Sequence, residues 1–307
     1  MNAAYLQNLT SQLAAGVARL PAAQRGKHAA YLHAGQNADG GWSGRLGASD
    51  LYYTAFALRS LAVLDALPPA VSQRAAAFLR STLTGQSSVV DFFSLLYAAM
   101  ILQATTGVDV LADSPADWPV RVAALLETFR AEDGGYGKTP AGKFGSTYHT
   151  FLVGLCYPLL GQGYPRPDEV RGFITARRRD DGGYVEMAPM PRSGTNPTAA
   201  AVGALQLLGE TPADAELVTA FLLEAQGDEG GLRANTRIPF ADLLSTFTGS
   251  WTLHQLGTLD HLPSEDVLAF ARSLEHADGG FKGHAWDDQR DVEYTFYGLG
   301  TLALFAP

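Results

Sequence analysis

Cysteine occurs once, as Cys156, so the chain forms no internal disulfide and no cysteine-pair zinc cluster. The thiol sits inside "FLVGLCYPLL", where a small core residue is expected rather than a nucleophile. Basic residues are also scarce: 22 Lys and Arg stand against 31 Asp and Glu, a net charge of −9, without the clustered cationic face that a nucleic-acid partner requires. No uninterrupted apolar run reaches the length of a membrane span, and the opening "MNAAYLQNLTSQLAAGVARL" reads as an amphipathic helix over about residues 2–19 rather than as a leader. A cytoplasmic protein that is not transmembrane is the resulting expectation. Core-forming residues are plentiful, because 47% apolar and 17% charged content suffices for one large domain over residues 1–307.

Glycine is organised rather than scattered. The stretch "QNADGGWSG" (36–44) recurs as "AEDGGYGK" (131–138), "RDDGGYVE" (179–186), "GDEGGLRA" (227–234) and "HADGGFKG" (276–283). The first glycine of each pair is Gly40, Gly134, Gly182, Gly230 or Gly279, at intervals of 94, 48, 48 and 49 residues. The first interval is twice 47, so one copy between Gly40 and Gly134 has lost its glycines, and "LTGQSSVVDFFSLLYAAMIL" fills that place. Six units of about 48 residues account for nearly the whole chain, and a sustained period of that size implies stacked supersecondary units.

Each unit follows one plan. After the glycine pair come irregular residues and then a segment apolar nearly all round, such as "DLYYTAFALRSLAVL", "STYHTFLVGLCYPLL" or "DVEYTFYGLGTLALF", as in a buried helix. A Gly/Pro linker such as "DALPPA" or "GETPAD" leads to an amphipathic segment such as "AVSQRAAAFLRSTL" or "EDVLAFARSLEHA". Six buried helices alternating with six half-exposed ones predict an all-α fold: an (α/α)6 barrel of six helical-hairpin repeats, with an extra N-terminal helix. A linear solenoid is the alternative, but its helices would share burial more evenly.

Repeats ending in Q-x-x-D-G-G-aromatic resemble those of the protein prenyltransferase β subunits and of the squalene and oxidosqualene cyclases. "QNADGGW" matches in full, "EHADGGF" nearly so, and the other copies keep the acid and both glycines. The resemblance covers essentially the whole chain and implies an α-α toroid with a central apolar cavity for isoprenoid chains. That toroid hosts several chemistries, so activity has to be argued from the site.

Aligning the apolar segments on Thr54, Thr150, Thr198, Thr246 and Thr295, with Leu95 in the degenerate unit, places Asp50, Asp91, Ser146, Gly194, Asp242 and Asp291 four residues earlier. All are favoured N-cap residues, and a ring of helix N-termini also makes an anion site. In the prenyltransferases the fifth of these positions supplies a zinc-binding Asp, followed two residues later by a zinc-binding Cys, and the next repeat supplies a His. Carried over, these fall on Asp242, Leu244 and Tyr294, one ligand of three, so zinc is not expected here. The family's cationic loop residues fall near Arg233 and Arg237, which suit a diphosphate, with magnesium as its natural companion. Its other histidine and arginine correspond to Gly194 and Ser146, and its Tyr and Trp to Ser245 and Thr248.

The Asp-x-Asp-Asp acid of the protonation-initiated cyclases is missing, and "DDQRD" (287–291) has the Asp-Asp-x-x-Asp spacing of metal-dependent isoprenoid synthases but falls in a loop. A lone buried carboxyl is the other source of an acid, through Asp50 with Tyr52 and Tyr53 or through Asp291 with Tyr294. Tyr148 and His149 occupy the same rim, as phosphate-binding or basic groups or as satisfied structural ones. The catalytic candidates are therefore Asp50, Asp242, Asp291 and Tyr294, and the substrate-binding ones Arg233, Arg237, His149, Tyr148 and Tyr53. Trp42, Tyr136, Tyr184 and Phe281, after the glycine pairs, read as packing residues.

The resemblance implies an enzyme on an isoprenoid or isoprenoid diphosphate, prenyltransferase-like or cyclase-like, without the zinc that activates a thiolate. The alternatives are an inactive toroid acting as a lipid-binding or protein-interaction scaffold, and a carbohydrate-active enzyme with paired carboxylates drawn from Asp50, Asp91, Asp242 and Asp291. A helical partner subunit, as in eukaryotic prenyltransferases, is left open.

Overall fold

Among residues 4–140 and 142–306, which the computed structural model describes, six amphipathic helices alternate with six apolar ones. The pairs are α2 (Ala22–Ala34) with α3 (Leu51–Val63), α4 (Pro69–Ser81) with α5 (Val89–Thr106), and α6 (Trp118–Glu127) with α7 (Thr147–Leu159). They continue as α8 (Pro167–Arg177) with α9 (Thr195–Leu207), α10 (Ala215–Glu224) with α11 (Leu243–Leu256), and α12 (Ser264–Ser273) with α13 (Val292–Leu304). The expected N-terminal helix is α1 (Ala4–Ala18), and residues 2 and 3 of that expectation lie outside the described residues. The only β-pairing in named strands among the described residues is a two-residue ladder, Phe281–Lys282 against Arg290–Asp291.

Burial follows the sequence pattern. Helix α4 buries Val71, Ala75, Phe78 and Leu79 and exposes Gln73, Arg74 and Arg80, whereas α13 is buried from Thr295 through Ala303. Pro119–Phe270 forms one compact unit, in which α7, α9 and α11 pack in series. The chain on either side of it forms a second, in which α13, α3 and α5 pack in series and α1 lies on α13 and α3. Gly16 allows that last contact, since a Cβ there would collide with the Ala303 carbonyl. Helix α5 is long and apolar enough to cross a membrane by length and composition, yet it carries Asp91, and its 61% burial, against α3 and α4, is that of a core helix.

The glycine pairs explain how one helix pair is fixed to the next. A Cβ on Gly40, Gly134, Gly182, Gly230 or Gly279 would meet a backbone carbonyl of an amphipathic helix: Arg74 of α4, Glu169 of α8, Leu217 of α10, Asp266 of α12 and Lys27 of α2. The second glycine of each pair receives the aromatic ring one turn further along the same helix, from Phe78, Phe173, Phe221, Phe270 and Tyr31 respectively. Burying such a ring contributes about 2 kcal/mol.

The column of threonines is the third part of the staple. Thr54, Thr150, Thr198 and Thr246 Oγ1 each accept, at 2.9 Å, the backbone N–H of Trp42, Tyr136, Tyr184 and Leu232, and Thr295 accepts that of Phe281 at 3.2 Å. The motif acid closes the intervening loop: Asp39 accepts from Gly41 N–H at 3.0 Å and Ser49 Oγ at 2.7 Å, and Asp181 from Gly183 N–H at 3.0 Å and Ser193 Oγ at 2.8 Å. The degenerate copy, with Leu95 in the threonine position, lacks this staple. There α5 starts early, so Ser88 rather than the expected Asp91 is the N-cap, its Oγ accepting from Asp91 N–H at 3.1 Å.

The last copy is stapled to the first amphipathic helix. Glu275, where the first copy has Gln36, accepts from Lys27 Nζ and His28 Nε2 at 2.9 Å and from Gln24 Nε2 at 3.0 Å. His28 is fully buried, stacks on Phe281 at 4.9 Å, and accepts the Gly280 N–H on Nδ1 at 3.0 Å, which fixes Nε2 as the protonated nitrogen. Burial opposes ionisation of Glu275, but the hydrogen bonds outweigh it and hold the carboxyl at about 2, against an ordinary 4.5.

Gly230 (φ +93°) and Gly209 (φ +79°) share a left-handed backbone, but only the first faces a neighbour. In denaturant titrations, Gly209→Ala should cost about 1 kcal/mol and Gly230→Ala about 3 kcal/mol, the difference being the carbonyl clash. Glu275 has a folded pKa below its unfolded one, so its stabilisation is present above about pH 4.5 and lost as pH falls toward 2. Glu275→Gln should therefore cost about 2 kcal/mol at pH 7 and flatten the decline of stability between pH 5 and 2.

Candidate functional site

Four of the aligned positions cap their helices through side chains. Asp50 accepts from Tyr53 N–H at 2.8 Å, Ser146 from His149 N–H at 3.0 Å, Asp242 from Ser245 N–H at 2.7 Å and Asp291 from Tyr294 N–H at 2.9 Å. Gly194 leaves α9 without a side-chain cap. Residues one turn inside each cap differ, and that is where chemistry gathers.

In the unit that holds α1, α3, α5 and α13, helices α3 and α13 bring Asp50, Tyr53, Asp291 and Tyr294 to one edge of an aromatic cluster. The rings of Tyr53 and Tyr294 pack on Gly44 and Gly283, which a Cβ would obstruct. Phe56 meets Tyr52 edge-on at 4.9 Å, Tyr297 at 5.3 Å and Phe296 at 5.7 Å. Set against these rings is Glu293, which the sequence reading did not single out. Its Oε1 accepts from Tyr52 Oη at 2.6 Å and from Tyr297 Oη at 3.3 Å.

The carboxyls here divide by environment. Burial raises Glu293, reinforced by the nearby Asp291 charge, and burial also raises Asp291 and Asp50 above the usual carboxylate range. For Asp287 burial also works against ionisation, but Arg45, bonded to it through Nη1 at 2.9 Å, brings it below that range. Arg45 also donates to Asp291 Oδ2 from Nε at 3.1 Å. The first and last acids of "DDQRD" are thus bridged by a guanidinium.

In the contiguous unit, Ser146, His149 and Glu186 form a relay. Ser146 Oγ accepts the His149 backbone N–H, donates to Glu186, and lies 2.8 Å from His149 Nδ1. With its single hydrogen given to Glu186, the hydroxyl can only accept from Nδ1–H, so the Nε2 lone pair of His149 is the basic one. A serine oxygen saturated in this way is not an activated nucleophile. Burial lowers His149, aided by the Lys138 charge, and burial raises Glu186. Tyr148, 39% exposed, stands edge-on to the imidazole at 5.5 Å.

Asp242 faces an all-polar network in the same unit. Its Oδ2 accepts from Ser245 Oγ at 2.8 Å, Asn196 Nδ2 reaches that hydroxyl at 3.4 Å, and Thr248 Oγ1 donates to Asn196 Oδ1 at 2.7 Å. Arg233 donates to the Ala225 and Glu224 carbonyls at 3.2 and 2.9 Å, capping α10, while Arg237 is exposed in the loop. Beside Asp242, Leu244 offers no donor and Ser245 holds the carboxylate through its N–H and its hydroxyl. Among the described residues no three His, Cys, Asp or Glu side chains gather as a metal site.

The chain matches the prenyltransferase alpha-alpha toroid domain over residues 4–93, 72–237 and 198–306, and it belongs to that family. Its fold is accordingly the α-α toroid. Protein geranylgeranyltransferase-I of Candida albicans, complexed with GGPP, is similar with a TM-score of 0.69 at 14% identity, over 91% of this chain and 90% of that one. A variant of the type II terpene cyclase MstE from Scytonema, in complex with geranylgeranyl dihydroxybenzoate, is similar with a TM-score of 0.60 at 16% identity, over 98% and 99%. So is an inactive variant of the alpha-1,6-mannanase GH76A of Salegentibacter sp. HEL1_6, at 0.59 and 13% identity, over 97% and 98%. No curated protein matches in sequence. At such identities the likeness concerns the fold.

His149 should titrate below its ordinary 6.5 and be neutral at pH 7, which its imidazole proton shifts followed by NMR against pH will report. A midpoint at or above 6.5 would contradict the buried, Nδ1–H geometry.

Proposed function

We propose that the protein is an enzyme that binds an isoprenoid chain against the aromatic cluster of α3 and α13 and initiates its reaction by proton transfer from Glu293, without zinc. The observation that carries this reading is the placement of Glu293: a carboxyl set among Tyr52, Phe56, Phe296 and Tyr297, hydrogen-bonded by two phenols, with burial favouring its protonated form. Two neighbours supply context, one complexed with GGPP and one with a geranylgeranyl substrate.

The chemistry is balanced within the substrate and one side chain. The carboxyl O–H breaks as the π pair of a carbon–carbon double bond forms a new C–H bond, leaving a tertiary carbocation and the Glu293 carboxylate. A second double bond closes a ring onto that cation, and loss of a proton from an adjacent carbon regenerates an alkene. Aromatic faces attract the passing positive charge at about 1–2 kcal/mol each where water is excluded. Diphosphate ionisation finds less support, since Arg45 is tied to Asp287 and Asp291, Arg233 caps α10, and Leu244 and Ser245 stand where the prenyltransferases have other groups.

Purified protein incubated with polyprenyl substrates should give cyclised products by gas chromatography and mass spectrometry. The rate should fall as pH rises through a value above the ordinary glutamate 4.5, because the protonated carboxyl is the reactive form. Glu293→Gln should reduce turnover roughly 10²–10⁴-fold while leaving substrate affinity within about 3-fold. Turnover retained by that variant, or release of diphosphate as the first product, would overturn the assignment.

A further inference from the structure

Arg59 is the only charged residue within α3. Its guanidinium carbon lies 3.9 Å from the ring centroid of Phe296, 4.7 Å from that of Phe56 and 5.2 Å from that of Tyr97. It makes no hydrogen bond or ion pair with any described residue, and its Nε is buried without a partner. Arg177 and Arg178 likewise have a buried Nε without a partner, but their guanidiniums are bound to Asp133 and, at 2.7 Å, to Asp214, and Arg45 is bound to Asp287 and Asp291. Glu293 stands close enough for the two charges to interact, yet its carboxyl is bonded by Tyr52 and Tyr297 instead.

A guanidinium presents five N–H donors in a flat fork, and aromatic faces satisfy its charge but accept none of those hydrogens. Arg59 is half-buried, and its Nε–H lies away from water without an acceptor, which is unfavourable, so the arrangement is incomplete as a purely structural one. It also conflicts with carbocation chemistry on the same rings, because an uncompensated guanidinium over Phe56 and Phe296 would repel a second cation. An anion delivered by the ligand removes both difficulties.

We infer that Arg59 is the anchor for a carboxylate carried by the isoprenoid substrate, held by two parallel N–H···O bonds against the faces of Phe56 and Phe296. The assignment rests on the isoprenoid reading of this cluster and names the substrate class: a polyprenyl or prenylated carboxylic acid. A single negative charge is specified by the surroundings. Asp50, Asp91, Asp291 and Glu293 lie on the same helices, and the other nearby cation, Arg45, is already paired. A diphosphate would set about three negative charges against one guanidinium beside those carboxyls. The planar carboxylate matches both the charge and the fork.

Calorimetric titration at pH 7.5 of the purified chain with geranylgeranoic acid, geranylgeraniol and geranylgeranyl diphosphate tests this. The acid should bind at least 10-fold tighter than the alcohol and tighter than the diphosphate. Arg59→Met should bring the acid to the affinity of the alcohol while leaving alcohol binding unchanged, which also reports that the variant is folded. Arg59→Lys should retain part of the preference. Equal binding of acid and alcohol by the parent chain, a preference that survives Arg59→Met, or tighter binding of the diphosphate would overturn the anchor and leave the isoprenoid reading standing. Binding of none of the three would overturn both. An acid preference without any cyclised product would uphold the anchor and reject the proton-transfer chemistry.

Discussion

Backbone pressed directly on backbone is the constraint from which the other features of this fold follow. The first glycine of each motif brings its α-carbon against a carbonyl in the body of an amphipathic helix, and in every copy but that of Gly134 closer than a Cβ would permit. Once that contact is made, the second glycine takes a ring from the next turn, and the residue after it donates its N–H to the threonine of the apolar helix. Three elements are joined by three short contacts, none of which depends on a long or flexible side chain. The same joint therefore recurs with Gln36, Arg130, Arg178, Gln226 or Glu275 at its variable polar position.

Repetition made the fold legible. A 48-residue period, an apolar helix following an amphipathic one, and a glycine pair in five of six units were enough to give the helix pairs, and the observed elements keep that order. The aromatic residues that seat on the second glycines, among them Phe78, Phe173, Phe221 and Phe270, went unread in the sequence, because their meaning depends on knowing which surface they face. The degenerate unit was misjudged at its start because alignment through Leu95 assumes a staple that this copy does not have. Without it the helix is free to begin earlier, at Ser88.

The site was less legible, for a physical reason. Caps such as Asp50, Asp242 and Asp291 follow from local sequence, whereas Glu293 acquires its character from a phenol on α3, far away in the chain. Glu186 likewise depends on Ser146. One signal was available: Arg59 interrupts "LYYTAFALRSLAVL", and a lone cation in an otherwise apolar helix asks for a partner. Conversely, the spacing of "DDQRD" suggested a metal motif, but Arg45, from a different loop, determines what those acids do.

The staple between Gly279 and Lys27 has a bearing on how the molecule is made. One compact unit is a continuous stretch, Pro119–Phe270, while the other draws on both ends of the chain. During synthesis the first hairpins emerge long before the glycine pair that will clamp α2, so α1, α3 and α5 must wait, partly unsatisfied, until α13 leaves the ribosome. The middle of the chain meets no such delay. Opening the chain in the turn before α6 and connecting α13 to α1 would make both units contiguous, so that each could complete its own core in the order in which it is translated.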